Sequence, residues 1–319
     1  MGEFDLIERY FKRSPRKATV GVGDDCAIWT PQTGHQLAFS ADMLVEGRHF
    51  LPTIDPFKLG HKCLAVNLSD LAACGAKPRA FLLSLSLPGA DESWLAGFSR
   101  GLLALADEHG CELMGGDTTK GPLNIAITVM GEVPTGQALL RNGARAGDDI
   151  YVSGSLGDAR LALEAFRGHV SLPQAVFESA RQHMETPTPR IALGQALRGV
   201  AHAAVDVSDG LLGDLSHVLK ASAVGARIEL APVMTLLESA QHWSAPEPLV
   251  LTCTLSGGDD YELVFTAPPE KRDAVAAAST QSSTRVTRIG SITSSPGITL
   301  WDANGVQVHH RFASFDHFS

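Results

Sequence analysis

Aspartates beside glycine, serine or threonine recur along this chain, and together they suit the chemistry of a divalent metal ion on phosphate. Residues 21–27 read Gly-Val-Gly-Asp-Asp-Cys-Ala, and Gly-Asp-Asp returns at 147–149 and 258–260. Further acids stand at Asp42 in "FSADM", Asp70 in "AVNLSDLAACGAKP", Asp117 in "GGDTT", and Asp206 and Asp209 in "VDVSDGL". A lone aspartate in a turn ordinarily closes an Asx turn or caps a helix. A set of five or six shifts the balance toward metal binding. Mg²⁺ takes oxygen ligands, keeps several waters, and is held by a few carboxylates plus substrate phosphates. Carboxylates alone repel a triphosphate; loaded with metal they clamp it.

The Gly-Asp-Asp copies are not equivalent. "RAGDDIYVSG" (145–154) reads as a turn launching a strand, and a turn role alone accounts for it. "SGGDDYELVF" (256–265) also launches a strand, but its paired glycines allow a close backbone approach to a ligand, so both readings stand. Arg141 and Arg145 fit a solvated connection or a phosphate contact. His49 in "EGRHF" reads as an ordinary surface or core histidine, and Phe315 and His317 near the C-terminus pack the tail or form a lid. The chain has no Gly-x-x-x-x-Gly-Lys-Ser/Thr loop, no Gly-x-Gly-x-x-Gly opening a helix after a strand, no His-Glu-x-x-His and no Gly-x-Ser-x-Gly.

Elements that must carry these residues are legible as a mixture of helix and strand. Strand patterns fall at 17–22, 36–41, 80–87, 124–133, 149–153, 203–207, 226–230, 261–266 and 285–292; helical spacing fits 4–11, 56–74, 93–109, 156–167, 189–197, 209–223 and 270–278. Asp25, Asp42, Asp117, Asp206 and Asp209 are thereby expected at strand ends, and Asp70 on a helix. The glycine-rich stretch 131–149 has little periodicity, which puts a boundary near 137 and domains at 1–136 and 137–319. With 319 residues, two domains each have enough chain for a core. A net charge of −9 argues against a nucleic-acid partner, which needs a basic footprint. Five scattered cysteines without a zinc-like spacing fit a reduced compartment, and neither a signal peptide nor an 18-residue apolar run occurs, so a cytoplasmic protein with no membrane partner is expected.

Taken together, "GEFDLIERYF" (2–11), "GVGDDCA" (21–27), "FSADMLVEGRHF" (39–50), "LAVNLSDLAACGAKP" (64–78), "MGGDTT" (114–119), "DVSDGL" (206–211), "SGGDDYEL" (256–263) and "FDHF" (315–318) resemble the thiamine-monophosphate kinases over almost the whole chain. That resemblance implies an α+β fold akin to aminoimidazole-ribotide and selenophosphate synthetases. In it an α/β N-terminal domain pairs with a second copy into a barrel-like dimer core, and an α+β C-terminal domain completes each ATP cleft. It also implies several Mg²⁺ ions, with ligands at Asp25, Ser40, Ala41, Asp42, Asp70, Asp117, Asp206 and Asp209. ATP contacts follow at Gly116, Asp117, Arg141 and Ser208, and thiamine-monophosphate contacts at His49, Asp259 and Phe315, with Asp42, Asp70 and Asp117 at the catalytic centre. Position 41 is Ala where threonine is frequent, so a metal contact there must use the carbonyl. Asp259 and Phe315 stand where glutamate and tyrosine or tryptophan are common.

The implied reaction is in-line transfer of the ATP γ-phosphoryl group to thiamine monophosphate, giving thiamine diphosphate. Two rivals remain: a synthetase of an acyl- or selenium-phosphate, and a non-catalytic nucleotide- or ion-binding regulator. Selenophosphate synthetases carry a reactive Cys or selenocysteine in a glycine-rich N-terminal segment, and residues 1–17 contain no cysteine.

Overall fold

A computed structural model describes residues 2–308, so Phe315 and His317 lie outside the described residues. The chain divides into two compact units: Met1–Leu71 with Ala76–Gly136, and Ala72–Gly75 with the chain from Gln137 onward.

The first unit contains α1 (Glu3–Tyr10), β1 (His35–Val45), α2 (Pro56–Ala73), β2 (Lys77–Leu87), α3 (Glu92–His109), β3 (Glu112–Lys120) and β4 (Asn124–Pro134). Its sheet has the order β1-β4-β2-β3, with β2 and β3 parallel and the other pairs antiparallel. One face is buried through Leu83, Leu85, Ile125, Ile127 and Val129. Along β1 the alternation leaves Leu37, Phe39, Met43 and Val45 exposed on the other face, where Leu82 of β2 joins them. α3 is set by Asp91, whose carboxylate accepts the Ser93 and Trp94 N–H groups at 2.8 and 3.0 Å, and by Gly110 in the left-handed conformation at its end.

α2 and α3 touch backbone to backbone. A Cβ at Gly101 would lie 1.8 Å from the Phe57 carbonyl oxygen, and one at Gly60 2.1 Å from that of Phe98. Only glycine allows this approach, which fixes α2 against its neighbour.

The expected strand over 17–22 is not one. Val20 and Ile28 form an isolated bridge, and the Arg16 and Ala18 N–H groups are accepted by the Glu112 carboxylate at 3.1 and 3.4 Å rather than by a neighbouring strand. Asp117 is expected just past a short strand at Glu112–Met114; instead β3 runs on through Gly-Gly-Asp-Thr-Thr and pairs with β2 as far as Lys120. Asp42 and Asp117 therefore lie within strands, not after them.

The second unit contains β5 (Asp149–Ser153), α4 (Asp158–Phe166), α5 (Gln174–Glu185), α6 (Ile191–Ala196), β6 (Ala203–Val207), α7 (Leu211–Ser222), β7 (Gly225–Glu229), α8 (Leu230–Met234), α9 (Glu247–Ser256), β8 (Glu262–Ala267), α10 (Arg272–Gln281), β9 (Val286–Thr293), β10 (Gly297–Trp301) and β11 (Gln307–Val308). Its seven-stranded sheet runs β11-β10-β7-β9-β5-β8-β6. One core joins that sheet to α7, α8 and α9 through Val205, Val207, Leu215, Val233, Leu255 and Val264; a second joins α4, α5 and α9. Among the described residues, no helix is long and apolar enough to cross a membrane.

The glycine contact between α2 and α3 yields a stability prediction. Gly101→Ala should destabilise the protein by about 1–3 kcal/mol, the usual cost of overpacking. Gly89→Ala, where an added Cβ meets nothing within 4 Å, should sit within about 0.5 kcal/mol of wild type in urea denaturation.

Candidate functional site

Two hydrogen bonds tie β1 to α2. The Ser40 hydroxyl donates to Asp70 Oδ2 at 2.5 Å, and the Asp42 N–H donates to Asn67 Oδ1 at 3.0 Å. Asn67 itself donates to the Cys63 carbonyl at 2.9 Å, so the helix orients its amide. Ser40 and Asp42 share the helix-facing side of β1, and Asn67 and Asp70, three residues apart, share one face of α2. Ser40, Asp42 and Asp70 thus form one oxygen-rich group. Ala41 points to the opposite, exposed face.

Asp117 stands apart from that group. The strand register sets it beside Ser84, on the open face that bears Leu82, whereas Gly116 lies beside Leu83. Gly116 has φ +145°, and a Cβ there would come 1.8 Å from the Leu83 carbonyl oxygen, so the bend before Asp117 requires glycine. Asp25 occupies an exposed loop tip closed by the Val20–Ile28 bridge, where its N–H is accepted by Asp24 Oδ1 at 2.8 Å. That loop is moored on its far side by Glu132, which accepts from Trp29 Nε1 and the Gln32 N–H. His49 Nδ1 accepts the Val45 N–H at 3.0 Å, which assigns the neutral ring's proton to Nε2.

In the second unit the motifs around Ser208 and Asp259 meet. β6 and β8 are antiparallel, pairing Val207 with Glu262. The Asp259 N–H donates to the Ser208 carbonyl at 2.7 Å and the Tyr261 N–H to that of Val207 at 2.8 Å. Asp259 and Tyr261 both have positive φ, so this is a tightly specified loop. A residue that the sequence reading missed organises its partner: Asp214 Oδ2 accepts the N–H groups of Ser208, Asp209 and Gly210 at 3.0, 3.0 and 3.1 Å. Burial pushes the Asp214 carboxyl up to about 6, against the lowering effect of those donors. Its signal was present in "DGLLGD", an acid in the first turn of the helix. Asp206 is buried within β6, and Arg141 is exposed on the connection before β5.

Whether these residues suit Mg²⁺ is a question of donor chemistry. Among the described residues, no three His, Cys, Asp or Glu side chains gather closely enough to hold a metal ion. The Ser40–Asp42–Asp70 group offers hard oxygen donors and no imidazole or thiolate. An ion that keeps its waters and takes phosphate oxygens needs only one or two carboxylates, so the group fits Mg²⁺ in that mode.

The Gly-Asp-Asp copy at 147–149 does more than turn the chain. Asp148 closes the expected turn by accepting the Arg145 N–H at 2.9 Å, and also pairs with His202 Nδ1. Asp149 is buried and accepts from Arg272 Nε and Arg288 Nε, each at 2.6 Å, and from the Tyr151 hydroxyl at 3.2 Å. Burial alone would push the Asp149 carboxyl up; the two arginines reverse this and hold it below the ordinary aspartate value. A lowered carboxylate contributes stability above its unfolded pKa that is lost as pH falls through its folded one. Asp149→Asn should therefore cost about 1–3 kcal/mol at neutral pH, discounted because both arginines are partly solvated. The deficit should shrink in denaturant titrations carried below about pH 4.

The AIR synthase-related family matches in two parts, its N-terminal domain over residues 23–133 and its C-terminal domain over 145–303. The chain is 44 % identical over 323 residues to the thiamine-monophosphate kinase of Salmonella typhimurium, covering 100 % of this chain and 98 % of that one. A crystal structure of thiamine-monophosphate kinase from Stenotrophomonas maltophilia superposes with a TM-score of 0.84 at 43 % identity, covering 93 % of this chain and 94 % of that one. AaThiL complexed with AMPPCP and TMP gives 0.75 at 28 % identity, covering 99 % and 96 %. With an oxygen-donor group tied between β1 and α2, and with full-length similarity of this degree, the chain belongs to the thiamine-monophosphate kinase family of AIR synthase-related proteins.

Proposed function

We propose that the protein transfers the γ-phosphoryl group of ATP to thiamine monophosphate, giving thiamine diphosphate and ADP. The observation that carries this reading is the full-length similarity to thiamine-monophosphate kinases, one relative of which is described in complex with an ATP analogue and TMP. Asp42 and Asp70 would hold one Mg²⁺, with Ser40 beside them, and Asp25, the Ala41 carbonyl, Asp117, Asp206 and Asp209 would serve as ligands of further Mg²⁺ ions. Mg²⁺ bound there supplies positive charge that offsets the phosphate oxygens of donor and acceptor.

The acceptor is a phosphate monoester with a second pKa of about 6, so its attacking oxygen is already anionic at neutral pH and no general base is required. One bond forms from that oxygen to the γ-phosphorus as the bond to the β-phosphate oxygen breaks. The protein's work is positioning. A helix N-terminus is an ordinary phosphate site, but at α7 Asp214 already takes the N–H groups of Ser208, Asp209 and Gly210. The Ser208 carbonyl accepts from Asp259, which leaves the Ser208 hydroxyl as the group that meets ATP. Arg141 adds a permanent cation for the phosphates, and Gly116 a close backbone approach. His49, through Nε2–H, Asp259 and Phe315 contact thiamine monophosphate. Leu140 bonds to Ala204 at the start of β6, four residues of extended chain or about 13 Å from Ser208.

The protein acts as a homodimer through the open face of the first unit's sheet. Phe39 is 63 % exposed and Met43 55 %, with Leu37, Val45 and Leu82 around them, and such a patch calls for cover. A second copy suits it, since twofold pairing is the commonest oligomer symmetry.

Two outcomes follow. Purified protein should form ADP from MgATP only when thiamine monophosphate is present, and EDTA should abolish this; turnover of free thiamine but not its monophosphate would refute the assignment. In sedimentation at micromolar concentration the protein should run at twice its 33.8 kDa chain mass, and Phe39→Glu should shift it toward the monomer. A wild-type monomer would contradict the dimer.

A further inference from the structure

We propose that Ser222, the last residue of α7, is a positioning residue for Arg141: its hydroxyl fixes the main chain from which the guanidinium reaches a nucleotide phosphate. This rests on the reading of Arg141 as an ATP contact. Ser222 Oγ accepts the Gly143 and Ala144 N–H groups, both at 3.1 Å, and donates to the Arg141 carbonyl at 3.3 Å. Two lone pairs and one proton are the whole capacity of a hydroxyl, so this one is saturated by a single loop.

The loop is pinned at each end by other means. Leu139 N–H donates to the Cys74 carbonyl and the Leu140 carbonyl accepts from Ala204, each at 3.0 Å. On the far side Arg145 N–H is held by Asp148, which pairs with His202. Gly143, at φ +128°, would bring a Cβ within 2.5 Å of the His202 carbonyl, so the turn sits tight against its neighbour. Between Leu140 and Arg145, the hydrogen bonds holding the main chain among the described residues are those of Ser222.

The Arg141 side chain itself is exposed and makes no hydrogen bond or ion pair among the described residues. The ordered main chain limits where this cation can reach, so part of the entropy of placing it against an anion has been met during folding. Arg272 and Arg288, by contrast, are committed to Asp149. α7 thereby serves the nucleotide at both ends: Asp214 shapes the Ser208 loop at its start and Ser222 the Arg141 loop at its finish.

The test is steady-state kinetics on the full chain together with calorimetric binding of a non-hydrolysable ATP analogue. Ser222→Ala should raise both KM for ATP and the analogue's Kd about fivefold, the loss of one modest set of hydrogen bonds. The kcat and the KM for thiamine monophosphate should stay within about twofold, and Tm should fall by about 2–4 °C, since the freed Gly143 N–H is exposed and the freed Ala144 N–H part-buried. Ser222→Thr, which keeps the hydroxyl, should restore ATP affinity. Arg141→Ala should weaken ATP more strongly, and adding Ser222→Ala to it should cost nothing further. Additive losses, or an unchanged KM for ATP in Ser222→Ala beside a raised one in Arg141→Ala, would overturn the proposal alone. An unchanged ATP affinity in Arg141→Ala would overturn the reading of Arg141 and the proposal with it.

Discussion

The hydrogen bond from Ser40 to Asp70 is the interaction on which the first unit's candidate chemistry depends. It sets the helix carboxylate over the strand that carries Asp42, and the Asp42 N–H to Asn67 bond repeats the tie one turn earlier along α2. Both bonds require α2 to lie at a fixed height and rotation over the sheet. The glycine approaches at Gly60 and Gly101 meet that requirement, since a single added methyl would push α3 and α2 apart. The Ser40 hydroxyl is itself uncharged, so this bond orients the Asp70 carboxylate and adds no charge to the site.

The second unit solves the opposite problem. A loop before a helix naturally offers bare N–H groups to an anion, yet at α7 those donors are turned inward onto Asp214. Asp214 fixes the loop's backbone and takes up its donors, and Ser208 and Asp209 themselves are only partly buried. Asp259 and Tyr261, both with positive φ, lock the neighbouring loop against the same segment.

Much of this was legible in the sequence. β5 and β6 fall on the residues that alternation marked, and α2 and α3 differ from the expected ranges by one residue at an end. What failed did so for physical reasons. β3 runs on through Gly-Gly-Asp-Thr-Thr, whose local preference is a turn, and pairing with β2 overrides it. α9, "EPLVLTCTLS", is apolar almost all round and shows no helical face, because it is buried on most sides. The 17–22 segment alternates like a strand but finds a side-chain acceptor, Glu112, instead of a ladder. Asp149 looked identical to any turn aspartate, since its arginines lie 123 and 139 residues away. The separate faces of Asp42 and Asp117 were likewise hidden, because register is a property of the sheet and not of either strand.

The central claim is that the carboxylates tied between β1 and α2 hold the cations that phosphate chemistry needs, and direct ion binding tests it without reliance on turnover. Mn²⁺, a paramagnetic stand-in for Mg²⁺, can be counted by electron paramagnetic resonance in the presence of a non-hydrolysable ATP analogue. Wild-type protein should bind it, while Asp70→Asn and Asp42→Asn should each weaken binding by about tenfold or more at unchanged Tm. Equal Mn²⁺ affinity in wild type and both variants would contradict the account.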